Sequence, residues 1–228
     1  MGILYIILGY LLGSIPFGYI FSKISRKDIL KVGWRKTSGS NVFRNVGFWQ
    51  GLATGLGDVG KGFLAVWLAQ NSGLSVQVQA MCGVAAVTGH NWSIFLKFAG
   101  GRGIGTFIGA FLVLSPKILG FSLIPFAFLA LIWNAAIGTI LFLVTAIILA
   151  IYFGQLETVG LLPLISLLPV FIKRLSPIRE LSLHPPKFSE KFGWVKKKEV
   201  IKNRLIFDDD IPHFDLRIVR IYKRLTKK

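Results

Sequence analysis

Two glycine-rich loops and a pair of charges inside an apolar segment are the parts of this sequence that could do chemistry. The first loop, residues 24–50, contains hydroxyl, amide and guanidinium side chains close together around a glycine. Backbone N–H groups at a helix start bind phosphate oxygens, and an arginine adds a bidentate charge. The first loop therefore predicts a phosphate-binding surface, with these candidate residues: Ser38, Ser40, Asn41 and Arg44.

The second loop, residues 97–103, repeats this chemistry in the sequence Lys-Phe-Ala-Gly-Gly-Arg-Gly. Its glycines allow a close approach of the backbone to a ligand, its arginine supplies charge, and an apolar segment begins directly after it. Two such loops suit a ligand with one or two phosphate groups. The candidate residues of the second loop are Gly100, Gly101, Arg102 and Gly103.

Asp58 and Lys61 lie within an apolar segment, three residues apart. Charges in such a segment are costly unless they have partners or a function. The spacing places both side chains on one helix face, so they either form a structural ion pair or serve a site. His90, at the end of another apolar segment, is a candidate base, phosphate ligand or helix cap. Asp58, Lys61 and His90 are the candidate catalytic residues.

Other familiar sites have no counterpart in the sequence. The Gly-Gly-Arg-Gly run is neither a Walker loop nor a dinucleotide fingerprint, and each glycine-rich loop taken alone also fits a simple turn. The sequence has no metal-ligand spacing, no Gly-x-Ser-x-Gly elbow and no pair of acidic residues placed for acid–base catalysis. It therefore predicts neither a metal nor another cofactor.

Composition indicates that these loops join membrane-spanning helices. Of the 228 residues, 53% are hydrophobic and 16% charged, which is more apolar surface than a soluble core of this size can bury. The pattern predicts an all-α polytopic membrane protein with about seven transmembrane helices, several of them shorter than a full bilayer crossing. The predicted spans are 1–22, 51–69, 76–96, 104–114, 118–133, 136–153 and 159–172.

Charge fixes the predicted orientation and separates a tail from the membrane domain. Basic residues concentrate in the first and second loops, so these face the cytoplasm, the N-terminus lies outside and the C-terminus inside. Residues 1–172 form the predicted membrane domain, and residues 173–228 form a basic cytoplasmic tail with 16 of the 27 Lys and Arg. Residues 216–228 fit an amphipathic helix on anionic lipid, or equally a solvated or disordered tail. No nucleic-acid-binding motif accompanies the charge.

Taken in order, the motifs resemble the bacterial acyl-phosphate-dependent glycerol-3-phosphate acyltransferases, the PlsY family. The resemblance covers about residues 8–175 and agrees in both order and spacing. The matching stretches are Tyr10–Gly18, Ser40–Arg44 followed by Gly47 and Gly51, Asp58-x-x-Lys61-Gly62, Gly89–His90, Gly100–Gly103 and Ser115–Pro116.

The resemblance implies a seven-span enzyme of the inner (plasma) membrane with its active site on the cytoplasmic side. It implies acyl transfer from acyl phosphate to the 1-hydroxyl of glycerol 3-phosphate, giving lysophosphatidate and phosphate for phospholipid biosynthesis. Arg44, Ser40 and Asn41 would then bind the glycerol phosphate. Arg102 and the Gly100–Gly103 backbone would hold the acyl phosphate. Two alternatives are a repurposed member that binds a phosphorylated lipid precursor without acylating it, and a membrane transporter of an anionic solute.

The sequence departs from the family pattern at several positions. In the first loop, this chain has Trp34 where the family has its first serine and Lys36 where the family has its first asparagine. Ser40 replaces a threonine of the family and keeps the hydroxyl. The second-loop lysine is Arg102. The remaining departures are hydrophobic or altered residues toward the end of the membrane domain: Ile137 and Ile140 in place of serines, and Arg174 and Pro177 in place of a histidine and an asparagine.

Overall fold

The computed structural model describes residues 1–175, 187–189, 193–195, 202 and 205–206; in 187–189 and 193–195 it describes the backbone alone. Apart from its loops, this part of the chain is helical except for one small hairpin. The helices are α1 (Gly2–Ser14), α2 (Phe17–Ile24), α3 (Gly39–Asn45), α4 (Phe48–Asn71), α5 (Val76–Asn91), α6 (Ile104–Leu114), α7 (Pro116–Ile132), α8 (Ala135–Tyr152) and α9 (Leu161–Arg174), with a 3-10 turn at Ile94–Leu96.

Helices occupy every apolar segment that the sequence predicts as a span, with shifted ends. The segment predicted at 51–69 is α4, which extends from Phe48 to Asn71, and the segment predicted at 76–96 ends earlier, at Asn91. The first loop contains α3, a seven-residue helix between stretches of coil and turn. Among the described residues, two helical segments are long and apolar enough, by length and composition, to cross a membrane: Gly2–Ile24 (α1 with α2) and Ala135–Tyr152. The number of spans and the side on which each terminus lies therefore stay predictions.

Pro16 separates α1 from α2. Proline has no backbone N–H and its ring crowds the preceding turn, so a helix does not continue through it undisturbed. The break takes the Ile15 carbonyl out of regular helical hydrogen bonding, and Ile15 has the extended ψ of 117°.

Small residues let the helices of the first compact unit pack backbone to backbone. This unit comprises Met1–Leu119 and Ala146–Val170. In it, α1 packs on α5, and a Cβ added at Gly13 or Gly89 would overlap backbone atoms of the opposite helix. Helix α4 packs on α6 in the same way through Gly62 and Gly109. Such close approach is typical of helix association in membranes.

The second compact unit comprises Gly120–Thr145 and Phe171–Lys228. The rings of Phe126 and Phe142 pack with their centroids 5.7 Å apart. Arg174, which is buried, donates one hydrogen bond to the Ala136 carbonyl at 2.7 Å and another to the Leu205 carbonyl at 2.6 Å. The arginine that departs from the family histidine therefore ties the end of α9 to the start of α8 and to the tail.

The tail contains a feature that the sequence does not predict. Strands β1 (Lys187–Ser189) and β2 (Gly193–Val195) pair antiparallel as a two-stranded hairpin. The regular structure of 1–175 is helical throughout, which confirms the predicted all-α class, and the hairpin is a small addition to it in the tail. The amphipathic helix predicted at 216–228 lies outside the described residues, and the domain boundary predicted at 172–173 stays a prediction.

Candidate phosphate-binding site

A buried cluster of three ionisable side chains lies behind the two loops. One helical turn of α4 places Asp58 beside Lys61, with 3.0 Å between Asp58 Oδ1 and Lys61 Nζ. The end of α5 brings His90 Nδ1 to 3.2 Å from the same carboxylate oxygen. All three residues are about 4% exposed. We call Asp58, Lys61 and His90 the buried cluster.

The break at Pro16 completes the environment of Lys61. The Lys61 ammonium donates a hydrogen bond to the Ile15 carbonyl at 2.9 Å, an acceptor available because α1 ends there. The ammonium also lies 5.9 Å from the centroid of the Phe17 ring, within the range of a cation–π contact. Lys61 is therefore held by α4 itself and by the broken first span, which accounts for a charge at this depth.

The second loop folds directly against His90. The Gly101 N–H donates to the His90 carbonyl at 3.0 Å, and a Cβ at Gly101 would overlap the imidazole Nε2. Gly103 has φ +77°, a left-handed conformation that favours glycine, and precedes the first residue of α6. The imidazole is thus enclosed between the Asp58 carboxylate and the Gly101 backbone. The glycines of the second loop are required for this close packing.

The two predicted phosphate loops meet. The Thr37 N–H of the first loop donates to the Gly100 carbonyl of the second at 3.3 Å. Thr37 in turn packs on α2, because a Cβ at Gly18 would overlap the Thr37 carbonyl. The two loops therefore form one continuous surface of the first compact unit.

Trp34 brings the two predicted phosphate-binding arginines together. The guanidinium carbon of Arg44 lies 4.7 Å from the centroid of the Trp34 ring, and that of Arg102 lies 4.6 Å from the same centroid. The two carbons can be no farther apart than the sum of these distances. Arg44 is exposed, while Arg102 and Trp34 are half-buried. We call Trp34, Arg44 and Arg102 the arginine–indole clamp.

Asn41 is fully buried, and its side chain is bonded on every side by the protein. Its amide nitrogen donates to the carbonyls of Lys36 at 2.9 Å and Val32 at 3.3 Å. Its carbonyl oxygen accepts from the Trp34 N–H at 3.1 Å and from the Asn45 side chain at 2.9 Å. An amide side chain has two donors and two lone pairs, and all four are used. The side chain of Asn41 is therefore hydrogen-bonded to other residues of the first loop, whereas the sequence predicts that it binds a phosphate.

The two predicted serines lie at the start of α3. Ser38 is the residue before the helix and Ser40 is its second residue, with their hydroxyl oxygens 3.4 Å apart. Ser38 is buried and Ser40 is exposed. Helix starts leave backbone N–H groups without intrahelical partners, so an exposed hydroxyl there is suited to an anion.

The structure thus brings the predicted residues into two neighbouring groups, the buried cluster and the surface of the two loops. Sequence reasoning missed two contributors: the Trp34 ring, seen only as a departure from the family, and the Ile15 carbonyl. The aromatic residue beside a glycine in a basic loop was the available signal for the first, and Pro16 for the second. Within the described residues, no group of three or more His, Cys, Asp or Glu side chains could hold a metal ion.

Comparisons with known proteins agree on one family. A family model described as "Glycerol-3-phosphate acyltransferase" matches residues 3–182. A protein of that name from Prochlorococcus marinus (strain MIT 9312) is 38% identical over 148 residues, covering 63% of this chain and 75% of the relative. One from Syntrophomonas wolfei is 37% identical over 163 residues, covering 71% of this chain and 75% of the relative.

A solved structure is similar as well. It is the crystal structure of PlsY (YgiH), an integral membrane glycerol 3-phosphate acyltransferase, in its glycerol 3-phosphate form. The TM-score is 0.70 at 26% identity, and the match covers 79% of this chain and 92% of the other. The form of the same protein with lysophosphatidic acid matches with a TM-score of 0.68 at 25% identity.

Proposed function

The chain belongs to the glycerol-3-phosphate acyltransferase family and is a membrane acyltransferase acting on glycerol 3-phosphate in phospholipid synthesis; we propose that its acyl donor is acyl phosphate. The 1-hydroxyl oxygen of glycerol 3-phosphate attacks the acyl carbonyl carbon and forms the new ester bond. The bond from that carbon to the phosphate oxygen breaks, and the hydroxyl proton leaves with the phosphate. The products are lysophosphatidate and inorganic phosphate.

The observation that carries this proposal is the meeting of two arginines from two loops at one ring. Each substrate has one phosphate group, and each loop contributes one guanidinium near Trp34. We assign Arg44, with the Ser38 and Ser40 hydroxyls at the start of α3, to the glycerol phosphate. We assign Arg102, with the Gly100–Gly103 backbone, to the acyl phosphate. Adjacent phosphate sites would hold the hydroxyl near the carbonyl, and acyl phosphate is already activated for attack.

Asn41 acts in this proposal through the first loop. Its four hydrogen-bonding positions are used by Trp34, Lys36, Val32 and Asn45, so it supports the substrate site from behind. A fully buried amide with all its partners in the protein fixes a loop conformation. We therefore assign Asn41 a positioning role.

The buried cluster has a related role. Asp58, Lys61 and His90 contact one another, and the imidazole packs on Gly101. We infer that the cluster holds the second loop at the mouth of the site. The substrate phosphate takes the hydroxyl proton, so no side chain needs to act as the base. His90 is the side chain that would serve as base if the phosphate does not.

We further propose that the site faces the cytoplasm in the inner (plasma) membrane, with seven spans, an outer N-terminus and an inner C-terminus. The support is the concentration of Lys and Arg in the first and second loops, against Lys117 and Glu157 in the opposite loops. The basic tail, residues 173–228, would contact anionic lipid headgroups.

The test supplies detergent-purified full-length protein with radiolabelled glycerol 3-phosphate and either palmitoyl phosphate or palmitoyl-coenzyme A. We expect the wild type to make labelled lysophosphatidate with palmitoyl phosphate as the donor but not with palmitoyl-coenzyme A. We expect Arg44→Ala and Arg102→Ala to lose this product. Arg26→Ala is the matched control, because Arg26 is an exposed arginine of the first loop. Product with palmitoyl-coenzyme A only would overturn the assignment of acyl phosphate as the donor. Full activity in both arginine variants would overturn the site, and binding without product would favour the repurposed member.

A further inference from the structure

We propose that Trp34 is a positioning residue that holds Arg44 and Arg102 ready for the two substrate phosphates. The proposal rests on the function proposed above, since it assumes that both arginines bind phosphate. It adds a residue to which that function assigns no part. Trp34 is proposed to act on binding through the arginines, without touching the reacting atoms.

The geometry gives the indole a contact with each arginine. Both guanidinium carbons lie within 4.7 Å of the ring centroid, well inside the distance at which a cation is attracted to an aromatic face. A guanidinium that packs flat on a ring still presents N–H groups along its edge. The ring therefore restrains both cations through their faces, a contact that does not use their N–H groups.

The same contact addresses a problem of charge. Two guanidinium groups near one ring repel each other, and the repulsion favours arginine conformations that point away from the site. The negative face of the indole offsets part of this repulsion in the absence of substrate. Long side chains also lose conformational freedom when they bind a ligand, and a preformed orientation reduces that cost. Removal of the ring should therefore weaken the binding of both phosphates.

The first loop fixes the Trp34 backbone in place. Asn41 accepts a hydrogen bond from the Trp34 N–H and donates to the carbonyls of Val32 and Lys36, on either side of the tryptophan. Gly33 and Arg35, the immediate neighbours of Trp34, both have left-handed backbone conformations, with φ of 57° and 52°. The chain is therefore bent on both sides of Trp34 and held by one buried amide. Trp34 is an anchored part of the loop.

The test compares Trp34→Ser, Trp34→Phe and the wild type as full-length protein in detergent. Steady-state kinetics give KM for glycerol 3-phosphate and for palmitoyl phosphate, and equilibrium binding of radiolabelled glycerol 3-phosphate gives Kd. We expect Trp34→Ser to raise both KM values and the Kd by about tenfold, with kcat within about threefold of wild type. Trp34→Phe keeps an aromatic face and should restore all three quantities to within about threefold.

The matched control is Trp49→Ser, because Trp49 is 73% exposed on α4 and contacts the Phe48 ring, with no role assigned in the site. Unchanged KM values in Trp34→Ser would overturn the inference, as would a fall in kcat alone. Equal loss in Trp34→Phe and Trp34→Ser would also overturn it, because a platform needs only an aromatic face. If Trp34→Ser does not fold, the Trp34→Phe and Trp34→Leu pair decides, since only the phenylalanine should retain wild-type KM.

Failure of the proposed function has a different signature. In that case the wild type makes no lysophosphatidate, and Arg44→Ala binds glycerol 3-phosphate as the wild type does. Failure of this inference alone leaves the wild type active and Arg44→Ala impaired, while Trp34→Ser matches the wild type in KM and Kd.

Discussion

The buried cluster and the arginine–indole clamp hold charge by different means within one compact unit. In the buried cluster, the Asp58 carboxylate contacts the Lys61 ammonium and the His90 imidazole, and Lys61 also donates a hydrogen bond to the Ile15 carbonyl. In the clamp, two like charges share a neutral ring, and Arg44 is exposed. Charges compensated within the protein build structure, whereas like charges gathered at a surface suit an anionic ligand. The buried cluster therefore has a structural role, and the arginine–indole clamp is suited to ligand binding.

We expect the largest effect from a substitution that breaks the buried cluster. Asp58→Ala leaves the Lys61 ammonium buried without its carboxylate, and breaking a buried pair on one side costs about 3–5 kcal/mol. We expect a strong loss of folded protein, measured as the thermal unfolding midpoint in detergent and the yield of monodisperse material. Asp58→Asn keeps the shape and a polar oxygen and should lose less. A normal unfolding midpoint in Asp58→Ala would contradict the structural role of the cluster.

The next effect disturbs the contact between the cluster and the second loop. Gly101→Ala inserts a Cβ into the position of the His90 imidazole, and overpacking of this kind costs about 1–3 kcal/mol. We expect a lower unfolding midpoint together with a higher KM for acyl phosphate. Gly60→Ala is the matched control, because a Cβ at that helical position meets nothing within 4 Å. If both variants behave alike, Gly101 is not the point of contact.

A third prediction concerns the support of the clamp. Asn41→Ala removes four hydrogen bonds of the first loop and should cost about 2 kcal/mol of stability. It should also raise the same KM values as Trp34→Ser, because it releases the tryptophan backbone. In the double variant the KM changes should be less than additive, since both residues act through one loop. Strict additivity in KM would show that Asn41 and Trp34 act independently.

The smallest effect distinguishes the shape of a charge from its presence. Arg102→Lys keeps the charge but loses the planar group that packs on Trp34, so we expect a fall in kcat/KM of about tenfold. In a Trp34→Ser background the same change should cost about threefold or less, because the ring is already absent. An equal cost in both backgrounds would mean that the Arg102–Trp34 contact has no influence on activity.

The sequence predicts much of this architecture, and its limits have physical reasons. The motifs identify the family, which the comparisons confirm, and the spacing of Asp58 and Lys61 correctly predicts a pair because neighbours on a helix are fixed by local geometry. The break between α1 and α2 also has a local cause, because it lies at Pro16 and a proline interrupts a helix. Such features depend on a few adjacent residues.

The features missed depend on residues far apart in the chain. His90 joins Asp58 only because α4 and α5 pack together, and Trp34 meets Arg102 only because the two loops meet. Asn41 is a residue type that can bind phosphate, and only the folded structure shows that its four side-chain hydrogen bonds are all made within the first loop. The hairpin at β1 and β2 also follows no strong local signal. Residue type indicates the chemistry available to a side chain, whereas its partners depend on the folded chain.

The central claim is that the surface of the two loops is the phosphate site. Equilibrium binding of radiolabelled glycerol 3-phosphate tests it most directly. The wild type, Arg44→Ala and Arg26→Ala would be compared after thermal unfolding has shown that the three proteins have similar midpoints. The account predicts that Arg44→Ala weakens binding by about a hundredfold, because a charge-assisted phosphate contact is lost, while Arg26→Ala binds as the wild type does. Equal affinity in Arg44→Ala and wild type would place the phosphate elsewhere and contradict the account.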